Sequence, residues 1–355
     1  MVDDIDIIIF TRKQNIDLLE NIKSQNIEIL ISRFAGISRF ARVLWEQTIL
    51  PFILISNKVD VLFCPGNIAP IFSPVKSVVW IGTIGPFIKS FIKCFPFYEK
   101  FELYINKFIM IASGRSATNV IFESDFTKQL FINDFGLNKN KTHVINIGKD
   151  VYYTEDSSDS NSDLLNKYKL FEPYVLCVSH LYPYKNILNM LSAFSAARKQ
   201  TGSKHKLLIA GGIKNINYHK EILSQIKTHS LQNSVFLLDT IAIDELQYLY
   251  KRCHFFIFPS PYENFAYTLV EAMSCGAPII CSNTTAMPET CQEAAIYFDP
   301  KNTEDMAEKI ELLINDEDLR KSLIQKSLER VKELPDYEEV TLKTLDIMKN
   351  LITEN

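Results

Sequence analysis

The sequence predicts an α/β protein made of two halves, each with a parallel β-sheet covered by helices. Apolar runs of strand length alternate with longer amphipathic stretches along most of the 355 residues. Continuous apolar strands separated by helices are typical of parallel sheets that are buried on both faces. The length is too great for one ordinary core and indicates roughly two or three domains. We therefore expect two Rossmann-like domains that face each other across a cleft.

The alternation of strands and helices is clearest in the second half of the chain. Helices are predicted to begin at about Asn186 and to cover about Tyr218–His229, Asp244–Lys251 and Tyr267–Ser274. The predicted strands of this half are Pro173–Ser179, Lys206–Ala210, Ser234–Leu238, His254–Phe258 and Pro278–Cys281.

The first half follows the same pattern less regularly. Its predicted helices are Ser38–Ser56, Phe97–Ala112 and Ser124–Phe135. Its predicted strands are Asp6–Phe10, Ile27–Ile31, Val59–Phe63, Ser77–Ile81, Asn119–Phe122 and Thr142–Ile145.

A polar, low-complexity segment between the halves, Thr154–Asp163 (TEDSSDSNSD), is the best linker candidate in the chain. We expect an amino-terminal domain over residues 1–153 and a carboxyl-terminal domain over residues 154–335. The tail, residues 336–355, is predicted to form a helix that packs back on the first domain.

Composition and residue spacing argue against several classes of protein. Hydrophobic residues make up 47% and charged residues 23%, as in globular proteins, and the net charge of -4 argues against an electrostatic nucleic-acid binder. None of the seven cysteines forms a C-x-x-C pair, and no two of the six histidines have i, i+4 spacing. We therefore expect no metal site and no bound cofactor.

The amino terminus, MVDDIDIIIFTRKQ, has acidic residues where a signal peptide needs basic ones. No stretch reaches about 18 uninterrupted apolar residues, the length of a membrane span. We therefore expect a cytoplasmic protein without a span.

The segment that carries the chemistry is Pro259–Pro278 (PSPYENFAYTLVEAMSCGAP), which follows a predicted strand and opens a helix. Glu263 lies in the loop before the helix, and Glu271 follows eight positions later. The unpaired N–H groups and the dipole of a helix N-terminus attract phosphate. Carboxylates beside such a site cannot usefully contact phosphate, but they can accept hydrogen bonds from the hydroxyls of a sugar and a ribose.

Two further loops are predicted to reach the same edge of the sheet. Ser179–Asn186 (SHLYPYKN) carries Lys185, a point charge suited to a diphosphate. Ala286–Glu289 (AMPE) follows the strand that ends at Cys281. Open α/β sheets bind ligands at the carboxyl ends of their strands.

Each of these residues has a commoner interpretation when it is taken alone. Glu263 could simply complement the helix dipole, Glu271 could lie on a solvated helix face, and Lys185 could be an ordinary surface lysine. The convergence of three loops on one sheet edge favours a binding site.

The run SHLYPYKNI, then LLIAGG, then PSPYENFAYTLVEAMSCGAPIICSNTTAMPE, then AAIYFDP resembles retaining glycosyltransferase family 4, of the GT-B fold. The match covers nearly the whole second half in the family's order and spacing. In the first half, ARVLWEQTILPF and DVLFCPGNIAP resemble bacterial members that build surface polysaccharides.

The resemblance implies a role for each matching position. Glu263 would bind the donor sugar near the reacting carbon, Lys185 would hold the diphosphate, and these two are the predicted catalytic residues. The other positions predicted to bind the donor are Glu271 (at the ribose), His180, Asn264, Phe265, Ala266, Tyr267, Thr268, Gly82 and Thr83. The domain of residues 154–335 would then bind the nucleotide-sugar, and that of residues 1–153 the acceptor.

Four departures from the family pattern bear on activity. The family commonly has Arg at the position of His180 and often has Gly at the position of Ala266. Many members carry a His in the stretch that corresponds to Trp80–Phe87, where this chain has none, and a glycine-rich loop that is absent near Phe10–Lys13. Loss of activity is therefore an open alternative.

The resemblance implies a retaining hexosyltransferase that moves a sugar from a nucleoside-diphosphate donor to a glycan or lipid-linked glycan in O-antigen or capsule assembly. The leaving phosphate would help to deprotonate the acceptor, and no divalent metal would be needed. Two alternatives stay open: an epimerase or phosphorylase on the same fold, and a non-catalytic subunit that binds sugar nucleotides.

Two segments of the first half could contact an acceptor or a membrane surface. Arg33–Arg42 (RFAGISRFAR) is basic, and Phe87–Phe108 is rich in Phe with interspersed lysines. A solvated helix end and a core helix are the simpler interpretations. Peripheral contact with the cytoplasmic face of the inner membrane is the functional one.

Overall fold

The structure, a computed structural model, describes residues 5–12, 15–22, 26–32, 39–150, 152–153 and 173–353. The predicted linker Thr154–Asp163, Lys13, and Arg33 with the rest of its loop up to residue 38 lie outside the described residues. No helix within the described ranges is both long and apolar enough to cross a membrane.

The second half forms one parallel sheet of six strands in the order β12-β11-β10-β7-β8-β9. Five of these strands were predicted to within two residues at each end, and β12 was not predicted as a strand. The strands are β7 (Tyr174–Val178), β8 (Lys206–Ala210), β9 (Val235–Leu238), β10 (Phe255–Phe258), β11 (Ile279–Ser282) and β12 (Ala295–Phe298).

Helices cover both faces of this sheet, as continuous apolar strands require. Successive side chains of β7 alternate between two buried clusters: Leu176 lies in one, whereas Val175 and Cys177 lie in the other. The helices of this half, here labelled α6 to α12 because five precede them in the chain, are α6 (Ile187–Thr201), α7 (Ile216–Thr228), α8 (Ile243–Arg252), α9 (Tyr267–Ser274), α10 (Met287–Cys291), α11 (Thr303–Asn315) and α12 (Glu317–Glu333).

The described strands of the first half form two parallel sheets. One is a pair, β1 (Ile7–Thr11) and β2 (Ile27–Ile31), and the other has four strands in sequential order. The four strands are β3 (Val61–Cys64), β4 (Lys76–Ile81), β5 (Asn119–Phe122) and β6 (Thr142–Val144). The helices are α1 (Arg39–Thr48), α2 (Leu50–Ser56), α3 (Lys89–Lys93), α4 (Phe97–Ser116) and α5 (Asp125–Phe135).

The prediction of one helix over Ser38–Ser56 is wrong, because the structure has two helices separated at Ile49. Pro51 lies in the first turn of α2. Proline has no N–H to continue a helical ladder, and it is well tolerated in a first turn.

The chain returns to the first half after α12. Lys149 N–H donates to Pro335 O at 2.9 Å where the two segments cross. A Cβ on Gly148 would lie 2.6 Å from the backbone N of Tyr337, so only glycine fits this crossing. The final helix, α13 (Tyr337–Thr353), then buries Leu351 in a cluster with Val78.

Candidate active site

The site lies at the carboxyl edge of the six-stranded sheet, where three loops meet. They follow β7, β10 and β11: the first two carry Lys185 and Glu263, and the third leads into α10, which carries Glu289. Neighbouring strands here are parallel and in register, so their carboxyl ends share one edge. The sequence predicted this convergence from the same rule.

Lys185 and Glu263 form an ion pair with 2.6 Å between Nζ and Oε1. Only 15% of the Lys185 side chain and 16% of the Glu263 side chain are exposed. Ser260 Oγ donates to the same carboxylate oxygen, and the Glu263 N–H donates to Thr285 Oγ1 at 3.2 Å. The two predicted catalytic residues therefore contact each other, and both have little freedom to move.

Glu271 lies on α9 and belongs to a separate hydrogen-bond network. The hydroxyl of Tyr250 donates to its Oε2 at 2.9 Å. Burial raises the pKa of the Glu271 carboxyl, the Tyr250 hydrogen bond lowers it, and the charge of Asp150 raises it. Tyr250 is fully buried and its place is fixed by packing, so it orients the Glu271 carboxylate.

The N-terminus of α9 supplies the predicted anion site. Ala266 is the N-cap residue, and no side chain caps the helix there. Leu269 N–H donates to Ala266 O at 3.0 Å, so the first-turn donors left for an anion are the N–H groups of Tyr267 and Thr268. Phe265 and Ala266 are buried, Thr268 is half-buried, and Tyr267 is 42% exposed.

His180 follows β7 on the exposed side of the same edge. Partial burial lowers its pKa, and the charges of Lys214 and Lys185 lower it further. The imidazole is therefore neutral at pH 7. It can donate a hydrogen bond to a diphosphate, but it does not supply the permanent charge of an Arg.

Gly82 and Thr83 follow β4 in the first half. The Gly82 N–H donates to Asn67 Oδ1 at 2.7 Å. A Cβ on Gly82 would lie 2.5 Å from Oε1 of Glu123, so this glycine makes room for a buried carboxylate. Thr83 is half-buried beside it.

Sequence reasoning missed Glu123, which follows β5 and is 8% exposed. Trp80 Nε1–H donates to its Oε1 at 3.1 Å, and the amide of Asn264 donates to its Oε2. Burial raises the pKa of Glu123, whereas these two hydrogen bonds lower it. The one available signal was an acidic residue directly after a buried apolar strand.

Asn264, predicted to bind the donor, is 7% exposed and its side chain points into the first half. Its Oδ1 accepts from Thr127 Oγ1 at 2.5 Å. Both polar atoms of the Asn264 side chain are therefore engaged by the first half.

Comparison with known proteins adds to this geometry. Residues 165–330 match the family described as glycosyl transferases group 1. O-antigen chain mannosyltransferase B of Escherichia coli is 26% identical over 238 residues, which cover 66% of this chain and 61% of that protein. The N-acetylgalactosamine-N,N'-diacetylbacillosaminyl-diphospho-undecaprenol 4-alpha-N-acetylgalactosaminyltransferase of Campylobacter jejuni is 24% identical, with the same coverage of both chains.

Two solved structures superpose along nearly the whole chain. A glycosyltransferase from Rickettsia africae has a TM-score of 0.75 at 20% identity, covering 98% of this chain and 90% of its own. Anabaena HepE in complex with UDP and glucose has a TM-score of 0.73 at 19% identity, covering 97% and 91%.

The chain has the GT-B fold. It resembles bacterial glycosyltransferases of surface-polysaccharide assembly. The alignments with the two curated relatives span about three fifths of their length, 61% in each case.

Proposed function

We propose that this protein is a glycosyltransferase that moves a sugar from a nucleoside-diphosphate sugar to a glycan or lipid-linked glycan. The observation that carries the proposal is the Lys185–Glu263 ion pair beside the uncapped N-terminus of α9. It places a cation, free N–H groups and a carboxylate at one sheet edge. A diphosphate with an attached sugar needs these three kinds of group.

The diphosphate would contact Lys185 and the first-turn N–H groups of α9. In the reaction, negative charge develops on the leaving phosphate, and fixed donors that await this charge lower the barrier. Lys185 would exchange part of its contact with Glu263 for the phosphate. Glu263 would then accept hydrogen bonds from the hydroxyls of the donor sugar.

The nucleoside would bind toward Glu271, whose carboxylate would accept hydrogen bonds from the ribose hydroxyls. Tyr250 holds this carboxylate with one hydrogen bond, which leaves it further capacity to accept.

Retention of anomeric configuration and a hexose donor are the finer parts of the proposal. Both follow from the family resemblance, and the relative from E. coli is named a mannosyltransferase, which supports a hexose. The leaving phosphate would take the acceptor proton, so no separate protein base is required. NMR of the product would report the anomeric configuration.

The rival functions predict different observations. The two curated relatives from E. coli and C. jejuni are named as transferases, which does not favour an epimerase or a phosphorylase. A phosphorylase of this fold would bind pyridoxal phosphate, and absorption spectroscopy of the purified protein would reveal it. A non-catalytic subunit would bind the donor but would not transfer its sugar.

A thermal-shift screen with UDP-, GDP- and ADP-sugars tests the binding step. A ligand that binds only the folded protein raises its apparent stability by mass action, by about 2.7 kcal/mol at a concentration of 100 Kd. We expect one base to stabilise the wild type clearly more than the others. Absence of a shift with every donor would contradict the proposed site.

We further propose that α4 binds the protein reversibly to a membrane surface. A lipid-linked acceptor would be held in that membrane. Phe97, Phe101, Tyr104 and Phe108 recur at i, i+4, i+7 and i+11 and therefore lie on one face of the helix. They are between 56% and 87% exposed. The stripe is about 16 Å long, from the rise of an α-helix.

The two interpretations of Phe87–Phe108 were a core helix and a surface that contacts a membrane. Each of them matches different residues of the segment. Phe87 and Ile92 are 8% and 3% exposed and belong to the core. The stripe of α4 is exposed, and exposed Lys89 and Lys93 lie on the neighbouring α3. Apolar rings beside lysines are the combination that binds an anionic bilayer surface.

Flotation with anionic liposomes at low and high salt tests this attachment. Changing Lys89, Lys93 and Lys100 to Glu should abolish flotation, because each basic residue contributes about 1 kcal/mol near an anionic leaflet. The matched control changes three exposed lysines of the second half to Glu: Lys204, Lys220 and Lys301. Equal behaviour of the two triple variants would contradict attachment through this surface.

A further inference from the structure

The loop that carries Glu263 is held by the opposite half of the molecule on both of its sides. The residue before it, Tyr262, donates its hydroxyl to Ser90 Oγ at 2.5 Å. The residue after it, Asn264, is bound by Glu123 and Thr127. The hydrogen bonds of Glu263 in the described structure are with its own half. The placement of the two residues that flank it therefore depends on how the two halves meet.

The contact engages both polar atoms of the Asn264 side chain. Its amide N–H donates to one oxygen of Glu123, and the other oxygen of that carboxylate accepts from Trp80. Its carbonyl oxygen accepts from the hydroxyl of Thr127. None of these hydrogen bonds gives Glu123 a cationic partner. A buried carboxylate held by neutral donors is stable only while those donors stay in place.

A second contact across the cleft lies beside the first. Both carboxylate oxygens of Glu289, on α10, accept from the first backbone N–H groups of α5, at 2.7 Å from Asp125 and 3.1 Å from Phe126. The negative charge also complements the dipole of α5. Thr127, which binds Asn264, is the next residue of that helix turn. The two contacts therefore share the first turn of α5.

We propose that Glu123 and Asn264 are positioning residues that couple closure of the cleft to the placement of Glu263. When the halves separate, Asn264 loses the hydrogen-bond partners of its side chain, Tyr262 loses Ser90, and the loop is released on both sides. When they close, the hydrogen bonds re-form and fix the residue next to Glu263. Closure of this kind also excludes water from a reactive donor.

The catalytic consequence of this coupling rests on the proposed function, in which Glu263 binds the donor sugar. The coupling of the Asn264 contact to the Glu289 contact does not depend on catalysis. It can therefore be tested in the absence of any transfer activity.

An exchange of the carboxylate and the amide between the two positions gives the sharpest test. Asn264→Asp places a second carboxylate against Glu123 and should break the contact. Adding Glu123→Gln restores it, because the amide introduced at position 123 donates to the carboxylate introduced at position 264. Thr127 then donates to the second oxygen of that carboxylate, and Trp80 donates to the carbonyl of the new amide. Asn138→Asp, at an exposed Asn of the first half, is the matched control.

Hydrogen exchange reads out the coupling without a substrate. In Asn264→Asp, we expect the amides of Asp125 and Phe126 to exchange about 10-fold faster or more, although Glu289 is unchanged, because opening exposes them. The double variant should return to the wild-type rates. Unchanged protection of these amides in Asn264→Asp, or a double variant no better than the single one, would overturn the proposal.

Steady-state kinetics adds the catalytic consequence. Asn264→Asp should lower kcat about 10²-fold with little change in KM for the donor, because small misplacements of a catalytic group have effects of that size. The double variant should recover most of the loss. If the wild type transfers no sugar, the proposed function fails, and the exchange data still decide whether the contacts are coupled.

Discussion

The ion pair between Lys185 and Glu263 makes Glu263→Ala the most informative single substitution. The Glu263 carboxylate lies 2.6 Å from the Lys185 ammonium, and both side chains are about five-sixths buried, at 16% and 15% exposure. A diphosphate must therefore compete with Glu263 for Lys185. Removing the carboxylate ends this competition and at the same time removes the predicted contact with the donor sugar.

The substitution should change the transfer rate and the affinity for the diphosphate in opposite directions. Transfer should fall by about 10²-fold or more, because the lost contact is one that tightens in the transition state. Binding of the nucleoside diphosphate, which lacks the sugar, should become about 2- to 5-fold tighter. That range corresponds to a net contribution of about 0.5–1 kcal/mol from the ion pair. Lys185→Ala should weaken both quantities.

Isothermal titration with the preferred nucleoside diphosphate and initial-rate measurements with the matching donor would separate these effects. Glu308→Ala, at an exposed acid on α11, provides the matched control and should change neither quantity. Full activity in Glu263→Ala would refute the site. Diphosphate binding weakened as much as in Lys185→Ala would refute the competition.

Three further predictions concern the nucleotide, His180 and metal ions. Glu271→Ala should weaken nucleotide binding about 10-fold or more, with a smaller effect on kcat, because the diphosphate separates the ribose from the reacting carbon of the sugar. Calorimetry would measure the change, and an unchanged Kd would contradict the ribose assignment. His180 has a lowered pKa and is neutral at pH 7. Its protonated form attracts a diphosphate, so wild-type affinity for the nucleotide-sugar should rise as the pH falls through that pKa, whereas His180→Arg should bind more tightly with a flat profile over the same pH range. Parallel pH profiles would exclude His180 from the clamp. Turnover should persist in excess EDTA, and a complete loss that Mg²⁺ restores would show that a metal is required.

Local pattern predicted most of the strands because each is a continuous apolar run. Ile27–Ile31, Asn119–Phe122 and Lys206–Ala210 have the predicted bounds. β12 was missed because Ala295–Phe298 begins with alanine and follows another alanine, a residue type that is depleted in strands. The break at Ile49 was missed because the apolar pattern of α1 continues into α2, although Pro51 marked the boundary.

The part of the candidate site that is formed by the six-stranded sheet was predictable from the sequence. Lys185 and Glu263 lie together because parallel neighbouring strands end at one edge. The contacts of Asn264 with Glu123 and Thr127 could not be predicted, because they depend on how two separately folded sheets meet. No periodicity within either half encodes that arrangement.

The exposed aromatic face of α4 was only partly predictable from the sequence. Its aromatic stripe is visible in the sequence as a helical repeat, but a repeat does not say whether the face packs against a sheet. Phe101 and Phe108 are 63% and 74% exposed, which only the structure shows. The predicted basic contribution of Arg33 and Arg39 stays a prediction, because Arg33 and the side chain of Arg39 lie outside the described residues.

Acceptor-dependent release of nucleoside diphosphate tests the central claim most directly. The wild type would be incubated with the nucleotide-sugar that stabilises it most, with and without lipid-linked or free glycan acceptors, beside Glu263→Ala. The proposed function predicts release that depends on an acceptor and falls about 10²-fold in the variant. Donor binding without release in any acceptor mixture would contradict catalysis and leave a sugar-nucleotide-binding subunit as the function.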